Sequence, residues 1–307
     1  MGTTWHVSYI ATGEGVQREF IQRQIAQQLE AVELSMSTYR EDSQISRFNA
    51  AQPNSWFKVS EDFYTVLSAA LQVGAQSGGA YDVTVGPLVD LWGFGSGPQI
   101  VAPPTQQAIE ELRSQVGQGN IRLDDNAMSV MKLTTLSLDF SSIAKGYGVD
   151  LVAEWLTLQG IDRFLVEVGG EMKMSGNSGR GDPWRIAIEQ PDTAGRDLAA
   201  AISLTDVAVA TSGDYRNYFE MDGRRYSHTI NPQTGYPVAH DLVSVTVVHP
   251  SAMLADAWAT ALSVLGAEQA MTVAQTQGLA VYFIRRSGDE FQPSHTRAFE
   301  QYLDTLQ

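Results

Sequence analysis

The sequence predicts an α+β protein in which mixed, largely antiparallel sheets pack against helices. Strand-like runs outnumber helix-like runs and often follow one another directly along the chain. A parallel α/β fold would instead alternate strands with helices. Neither G-x-G-x-x-G nor G-x-x-x-x-G-K-[ST] occurs, so the dinucleotide fingerprint and the Walker loop are both excluded.

One strand and three helices are predicted in the N-terminal part of the chain. Alternation over residues 5–11 predicts a strand, and residues 15–36 carry apolar side chains at close to helical spacing. A second helix is predicted near residues 61–76. The third is "TQQAIEELRSQVG", which Thr105 should cap and which should end at its glycine.

The rest of the chain predicts mainly strands, with two late helices. Strand-like runs lie at residues 127–138, 163–168, 184–189, 200–210 and 242–248. Helices are predicted at residues 254–265 and 268–277. The stretches "GLAVYFIRRSG" and "FQPSHTRAF" then predict two closing strands.

Composition excludes several classes of protein. The 307 residues carry a formal net charge of −15, which argues against nucleic-acid binding because that affinity rests on basic patches. A phosphate-bearing ligand is still compatible, since it needs only local positive charge or a helix N-terminus. The chain has no cysteine, which excludes disulfides, zinc–thiolate sites and cysteine nucleophiles.

The first candidate site is "LDFSSIAKGYGVD", where a strand-like run passes into a helix. Ser141 and Ser142 can cap that helix, whose free backbone N–H groups favour anions. Lys145 adds a positive charge, and Gly146 and Gly148 permit the close approach of a flat or bulky partner. The alternative is an ordinary capped helix with a solvated lysine.

The second candidate is a carboxylate on a predicted helix. Asp256 and Thr260 are four residues apart in "LADAWATALSVLG" and therefore share one helix face. A carboxylate among apolar residues needs a partner, and Mg²⁺ suits sites that combine few protein oxygens with ligand phosphates. The alternative is an aspartate turned to solvent.

The third candidate is His228, one of five histidines. Histidine is the natural proton acceptor near neutral pH. His228 lies just before "INPQTGYP", whose residues predict a tight turn. A lone histidine is more often structural, and that is our interpretation of His6 and His295.

The fourth candidate is "GGAYDVTVGPLVDLWGFGSG", which places Tyr81, Trp92 and Phe94 among several glycines. Such a loop could clasp a planar ring, or it could be a buried core loop. Composition does not separate these two interpretations.

Together, these motifs resemble those of the FAD:protein FMN transferase family, the ApbE-type flavin transferases. The resemblance implies an ApbE-like, T-fold-like α+β fold and one catalytic domain over residues 1–307, which could consist of two intimately packed subdomains with the FAD site between them. The matching segments follow the family's order across nearly the whole chain and are "MGTTWHV", "MSTYREDSQISRFN", "YDVTVGPLVDLWGFG", "LDFSSIAKGYGVD", "LVEVGGEM", "TSGDYRNYF", "YSHTINPQTGYPV" and "ADAWATALSVLG".

The resemblance also implies an activity. Members cleave FAD with Mg²⁺, attach its FMN half to a threonine or serine hydroxyl of a partner protein, and release AMP. The implied acceptor is a flavin-carrying subunit of a membrane NADH:quinone reductase or of an Rnf-type complex. Two alternatives stay open: an FAD pyrophosphatase that gives FMN and AMP, and a non-catalytic FAD-binding protein. Intact Asp256, Thr260 and His228 argue against the last.

Matched to the family's motifs, the candidate residues take three roles. His228 is the implied base for the acceptor hydroxyl. The implied metal ligands are Asp256 and Thr260 with the carbonyls of Ser142 and Ala259. The implied FAD contacts are Met1, Tyr39, Ala80, Tyr81, Asp82, Asp139, Lys145 and Ile230.

The resemblance further implies a location at the periplasmic face of the inner membrane, because family members are usually exported, many of them as lipoproteins. Met1 belongs to the "MGT" motif. We therefore expect it to be an internal residue of a longer, lipid-anchored precursor whose signal segment has been removed.

Overall fold

The structure is a computed structural model that describes residues 2–11, 17–95, 100–191, 198–213, 218–221 and 223–303. Its α-helices are α1 (Arg18–Met36), α2 (Gln44–Ala50), α3 (Glu61–Gln76), α4 (Gly86–Leu91), α5 (Gln106–Arg113), α6 (Ala144–Leu158), α7 (Ala252–Leu265) and α8 (Ala267–Thr276). Its strands are β1 (Trp5–Tyr9), β2 (Phe57–Lys58), β3 (Ile121–Asp124), β4 (Ser129–Lys132), β5 (Phe164–Val168), β6 (Glu171–Ser175), β7 (Trp184–Glu189), β8 (Leu198–Leu204), β9 (Ala208–Gly213), β10 (Tyr218–Met221), β11 (Arg224–Ser227), β12 (Leu242–His249), β13 (Ala280–Ser287) and β14 (Glu290–His295).

The chain divides into two compact units. The first contains Met1–Glu30, Lys145–Tyr215 and His240–Gln307, and the second contains Ala31–Ala144 and Arg216–Ala239. Every helix in the described ranges is too short or too polar to span a bilayer.

The first unit is built on a seven-stranded sheet in the order β1-β5-β6-β9-β12-β13-β14, with antiparallel pairing throughout. Successive side chains of a strand point to opposite faces. On β5, Phe164 and Val166 pack with α1 and α6, whereas Leu165 packs with the β7–β8 hairpin. Helix α7 packs against β9 and β12. The sheet thus supports the helices that carry Lys145 and Asp256.

The second unit combines α2 to α5 with the three-stranded sheet β2-β4-β3 and the hairpin β10–β11. A core cluster of Leu88, Trp92, Ile109 and Ile230 joins α4, α5 and the turn after β11. The Thr105 hydroxyl accepts a hydrogen bond from the backbone N–H three residues on, which confirms the predicted cap of α5.

Most of the predicted elements are confirmed. The patterns at residues 5–11, 61–76, 163–168, 184–189, 242–248, 254–265 and 268–277 correspond to β1, α3, β5, β7, β12, α7 and α8. The helix predicted at residues 15–36 is α1, which begins at Arg18, while residues 15 and 16 lie outside the described ranges. The α+β class with largely antiparallel sheets is therefore confirmed.

Two strand predictions are wrong in extent. The strand predicted at residues 127–138 is only the short β4, because the buried Lys132 ammonium donates hydrogen bonds to the carbonyls of Asn49 and Leu136 and the chain continues as a loop. The strand predicted at residues 200–210 is interrupted between β8 and β9, where Asp206 adopts a φ of 56°. A positive φ is incompatible with a continuous strand.

Two predicted endings are also wrong. The helix in "TQQAIEELRSQVG" ends at Arg113, with Ser114 as its C-cap, rather than at the glycine. The second closing strand ends at His295, and a 3-10 helix over Arg297–Tyr302 follows it. In both cases, the apolar pattern continues past the end of the element because a residue beyond it, Val116 or Phe299, also packs against the core.

Candidate active site

The clearest charged cluster lies in the first unit and joins Lys145, Asp256 and Glu171. The Lys145 ammonium lies 3.3 Å from each carboxylate oxygen of Asp256 and 3.1 Å from Oε1 of Glu171. Both acids are buried, with 4% of each residue exposed. Burial lowers the pKa of Lys145, but the Asp256 and Glu171 carboxylates outweigh it and raise the pKa above its ordinary value. The alternative of a solvated lysine is therefore wrong.

The Glu171 carboxyl group has an unusual environment within this cluster. Burial, together with the nearby Asp256 carboxylate, raises the pKa of Glu171 to about 8, although the Lys145 ammonium opposes the shift. Its Oε2 atom is buried and has no hydrogen-bond partner among the described residues. A buried acceptor without a partner is costly, so this oxygen requires an explanation.

Helix α7 carries the candidate metal ligands. Asp256 and Thr260 are one turn apart on it, as predicted, and the solvent-facing alternative for Asp256 is wrong because this residue is buried. Thr260 is half-buried. Ala259 is fully buried on the same helix. The hydroxyl of Ser251 caps α7 by accepting a hydrogen bond from the Leu254 N–H.

A second aspartate fastens the start of α7 to α6. Asp150, on α6, accepts hydrogen bonds from the Ser251 hydroxyl and from the backbone N–H groups of Ala252 and Met253. Its Oδ1 atom also lies 2.7 Å from the Lys173 ammonium. A carboxylate at a helix N-terminus satisfies free N–H groups and opposes the positive end of the helix dipole.

Gly146 is the point of closest approach between α6 and α7. A Cβ atom at this position would lie 2.2 Å from the carbonyl oxygen of Ala252, a separation that no side chain can occupy. The Gly146 N–H donates to Oδ2 of Asp256 at 3.1 Å. The close approach predicted for this glycine is therefore made to α7, and it places Asp256 over the first turn of α6.

In the second unit, the turn before α6 is organised by Asp139. Its Oδ1 accepts a hydrogen bond from the Ser141 N–H at 2.7 Å, and its own N–H donates to the Val83 carbonyl. The Ser142 hydroxyl lies 3.0 Å from the Tyr81 hydroxyl. Both serines lie in a turn, and the helix begins after them at Ala144.

Tyr39 is the exposed aromatic residue of the predicted FAD contacts. It lies in the turn region that follows α1, and 70% of it is exposed. Partial burial of its hydroxyl group and the nearby Asp139 and Asp90 carboxylates raise the pKa of Tyr39. A neutral phenol ring that stands in solvent can stack on a planar ligand.

The neighbouring predicted contacts are buried instead. Ala80 is 4% exposed and Tyr81 is 2% exposed. Tertiary packing covers the Tyr81 ring, which fits the core-loop interpretation of this segment, and its contact with FAD stays a prediction. Asp82 organises the loop locally: Oδ1 accepts hydrogen bonds from the N–H and hydroxyl of Thr84, and Oδ2 accepts one from the Gln118 N–H.

His228 follows β11 directly and lies at the end of a series of aromatic rings. Its ring meets that of Phe94 edge-on, with centroids 6.4 Å apart. Phe94 stacks on Phe219, which stacks on Tyr226, with centroids 5.1 Å apart in each case. Tyr226 stacks on Trp92 at 5.5 Å. This series positions the half-buried His228 ring.

The glycine-rich loop around Trp92 is therefore a core loop. Trp92 is 2% exposed, and its indole N–H donates to the Gly235 carbonyl. Ile230 is 5% exposed, belongs to the same core cluster and bridges to Pro237. The ring-clasping alternative is wrong for Trp92, because the tight turn after His228 covers it.

Two predictions fall outside the described residues. One is Met1 as an FAD contact, and the other is the middle of "TSGDYRNYF", residues 214–217.

Sequence reasoning missed Glu171 and Asp150 as members of the site. Glu171 follows the "GG" of "LVEVGGEM", which is a hairpin signal flanked by apolar residues. Asp150 is four residues after Gly146, so the two share a face of α6. These two local signals are visible in the sequence. They do not show which residues Glu171 and Asp150 contact, because the partners of both are distant in sequence.

The donor atoms of α7 fit a magnesium ion. In the part of the chain that the structure describes, no group of three or more His, Cys, Asp or Glu side chains is arranged to hold a metal. Mg²⁺ does not require one, because it is commonly held by one or two carboxylates together with substrate phosphates and water. The Asp256 carboxylate and the Thr260 hydroxyl supply oxygen donors of that kind.

Comparison with solved structures defines the class of protein. The structure of flavin transferase ApbE from Vibrio cholerae is similar to this chain with a TM-score of 0.92 and 41% sequence identity, over 99% of this chain and 96% of that one. The fold is therefore that of the flavin transferases.

The sequence comparisons then give the family. The ApbE family model matches residues 1–283. Two FAD:protein FMN transferases, from Vibrio cholerae serotype O1 and from Haemophilus influenzae, are each 43% identical to this chain, over 99% of its length and 90% of theirs. The chain belongs to the ApbE family, so the resemblance found in the sequence is confirmed.

Proposed function

We propose that this protein transfers FMN from FAD to a threonine or serine hydroxyl of a partner flavoprotein, with Mg²⁺ as cofactor and AMP as the leaving group. The acceptor oxygen forms a new bond to the phosphorus of the FMN half as the bond from that phosphorus to the AMP oxygen breaks. The observation that carries the proposal is the buried Asp256 on α7, with Thr260 one turn away and the Lys145 ammonium beside it.

The cation would be held by the side-chain oxygens of Asp256 and Thr260, and the carbonyls of Ser142 and Ala259 stay predicted ligands. When bound, Mg²⁺ neutralises charge on the diphosphate oxygens, which stabilises the charge that builds up during phosphoryl transfer. Lys145 contributes a fixed positive charge in the same cluster, because its raised pKa keeps it protonated throughout the neutral range.

His228 would accept the proton of the acceptor hydroxyl. A threonine hydroxyl is a weak nucleophile near neutral pH and needs a base as the new bond forms. Packing against Phe94 restricts the His228 ring, and a restricted base loses less freedom on reaching the reactive geometry. Histidine also titrates in the physiological range.

FAD would be held in part by stacking on Tyr39, whose exposed ring is the available aromatic surface among the predicted contacts. Stacking of this kind contributes about 1 kcal/mol. Ala80, Tyr81, Asp82, Asp139 and Ile230 would then shape the site through backbone and packing contacts rather than through ring stacking.

The acceptor and the location stay predictions of the family resemblance: a subunit of a membrane NADH:quinone reductase or Rnf-type complex, at the periplasmic face of the inner membrane. The function is tested by incubating the protein with FAD, Mg²⁺ and a candidate acceptor, and then measuring the mass of the acceptor. Covalent gain of one FMN supports the proposal. Free FMN and AMP with an unmodified acceptor would instead indicate a pyrophosphatase, and intact FAD would indicate a binding protein.

A further inference from the structure

We propose that Glu171 is a positioning residue for the cation site. Its carboxyl oxygens accept hydrogen bonds from the Lys145 ammonium when a divalent cation binds to the Asp256 carboxylate. This inference rests on the proposed function, because it requires Asp256 to bind the cation. Glu171 is not among the residues that the family resemblance assigns to the site.

Among the described residues, two carboxyl groups lie beside the Lys145 ammonium as alternative acceptors. It lies 3.3 Å from both oxygens of Asp256 and 3.1 Å from Oε1 of Glu171. A divalent cation on Asp256 would repel the ammonium and compete for the same oxygens. The ammonium must then find other acceptors nearby, because an unpaired charge is costly in a buried environment.

Glu171 has the capacity to accept more of the ammonium. Its Oε2 atom is buried and has no hydrogen-bond partner among the described residues. A lysine ammonium has three N–H donors, and the Glu171 carboxyl group can accept on both oxygens in its ionised form, which the nearby ammonium favours. The unpartnered Oε2 atom of Glu171 is therefore explained if it accepts a second hydrogen bond from the Lys145 ammonium once that ammonium leaves Asp256.

The hairpin before Glu171 fixes it beside Lys145. Val168 and Glu171 pair across a two-residue turn in which Gly169 and Gly170 have φ values of 61° and 103°. A Cβ atom at Gly169 would lie 3.0 Å from Cδ of Lys145. The glycine thus lets the lysine side chain pass against the turn and reach Glu171.

Glu167 offers a matched control in the same hairpin. It is also an acid on the β5–β6 hairpin, but it pairs with His6 at 2.8 Å and accepts a hydrogen bond from the Gly170 N–H. Within the described part of the chain, Glu167 forms no hydrogen bond or ion pair with Lys145 or Asp256. Removing its charge changes the net charge of the hairpin without changing the acceptors of the lysine.

The test measures Mn²⁺ binding to the full protein by electron paramagnetic resonance, without FAD, for wild type, E171Q and E167Q. We expect E171Q to raise the Mn²⁺ dissociation constant about tenfold, because a neutral amide accepts the ammonium less well than a carboxylate does and Lys145 then stays on Asp256. The Mn²⁺ dissociation constant of E167Q should stay within twofold of the wild-type value. An E171Q protein that is folded by circular dichroism and binds Mn²⁺ like wild type would overturn the proposal.

A double-variant cycle distinguishes action through Lys145 from a direct effect on the cation. In a K145M background no ammonium competes for Asp256, so adding E171Q should leave Mn²⁺ affinity unchanged. A further loss of affinity in K145M/E171Q would show that Glu171 acts directly, and would overturn the positioning role. This comparison also decides the question if E171Q alone fails to fold, because the double variant removes Lys145 and Glu171 together and leaves Asp256 as the charged member of the cluster.

Failure of this inference is distinguishable from failure of the proposed function. Wild-type FMN transfer that persists in a chelator would refute the magnesium requirement. Unchanged Mn²⁺ affinity in E171Q, with wild-type transfer still dependent on Mg²⁺, would refute only the role of Glu171.

Discussion

The Asp150 carboxylate accepts a hydrogen bond from the Ser251 hydroxyl, with Oδ2 and Oγ 2.7 Å apart. This contact joins α6, which begins beside Lys145, to the N-terminus of α7, which carries Asp256. Because Ser251 also caps α7 through the Leu254 N–H, one carboxylate fixes both the end of the helix and its position against α6.

We expect Asp150→Ala to lower the free energy of unfolding by about 2–4 kcal/mol, because it removes charge-assisted hydrogen bonds and leaves the Lys173 ammonium without its carboxylate. Urea unfolding followed by circular dichroism measures this. The control is Asp241→Ala, which breaks an exposed pair with Arg285 and should cost about 1 kcal/mol or less. Equal losses in the two variants would contradict the importance of the Asp150 contact.

Asp256→Ala should abolish Mg²⁺-dependent turnover of FAD while leaving the fold intact. The Lys145 ammonium keeps Glu171 as a partner at 3.1 Å, so the variant does not leave a lysine charge buried alone. The measurement is AMP release over a Mg²⁺ titration, with circular dichroism as the check on folding. Full activity with full Mg²⁺ dependence would mean that the cation binds elsewhere.

Tyr39→Ala should weaken FAD binding roughly tenfold, since one stacked aromatic ring contributes about 1 kcal/mol or somewhat more. Tyr39→Phe keeps the ring and should bind FAD nearly as well as wild type. Trp56 is a matched control, because it is also a large exposed aromatic, with 52% of it accessible. A fluorescence titration in which Tyr39→Ala and Trp56→Ala bind FAD equally would remove Tyr39 from the site.

The residues of α7 show how much of the site the sequence could predict. Spacing alone placed Asp256 and Thr260 on one helix face, because helical periodicity is a local property. Periodicity could not show that Asp256 is buried, nor that Glu171 shares its lysine, because those contacts join β6, α6 and α7. Tyr81 illustrates the same limit: composition could not decide between a ring-clasping loop and a core loop, because the burial of Tyr81 depends on distant parts of the chain.

The fold was predictable to a similar degree. Long amphipathic patterns located α3, α7 and β12 because each element has a strong periodic face. The break between β8 and β9 depends on the positive φ of Asp206, and the short β4 depends on the buried hydrogen bonds of Lys132. Neither feature has a clear signal in hydrophobic periodicity.

The remaining prediction concerns His228 as the base. His228→Asn removes the imidazole but keeps a polar side chain of similar reach. We expect it to lower FMN transfer to the acceptor about a hundredfold or more, a usual loss for a general base, and to leave the FAD dissociation constant nearly unchanged. Both quantities are measured on the same variant, by acceptor mass at saturating FAD and by FAD titration.

The aromatic packing around His228 provides a second variant, which tests whether restriction of the imidazole ring contributes to the transfer rate. Phe94→Leu keeps an apolar side chain but removes the ring that meets His228 edge-on at 6.4 Å. If His228 is the base, this change should lower the transfer rate at saturating FAD by less than His228→Asn does, because the imidazole is still present but less restricted. If His228 only contacts the flavin, His228→Asn will weaken FAD binding, but the variant will transfer FMN at the normal rate when FAD is saturating. The base must then be another group.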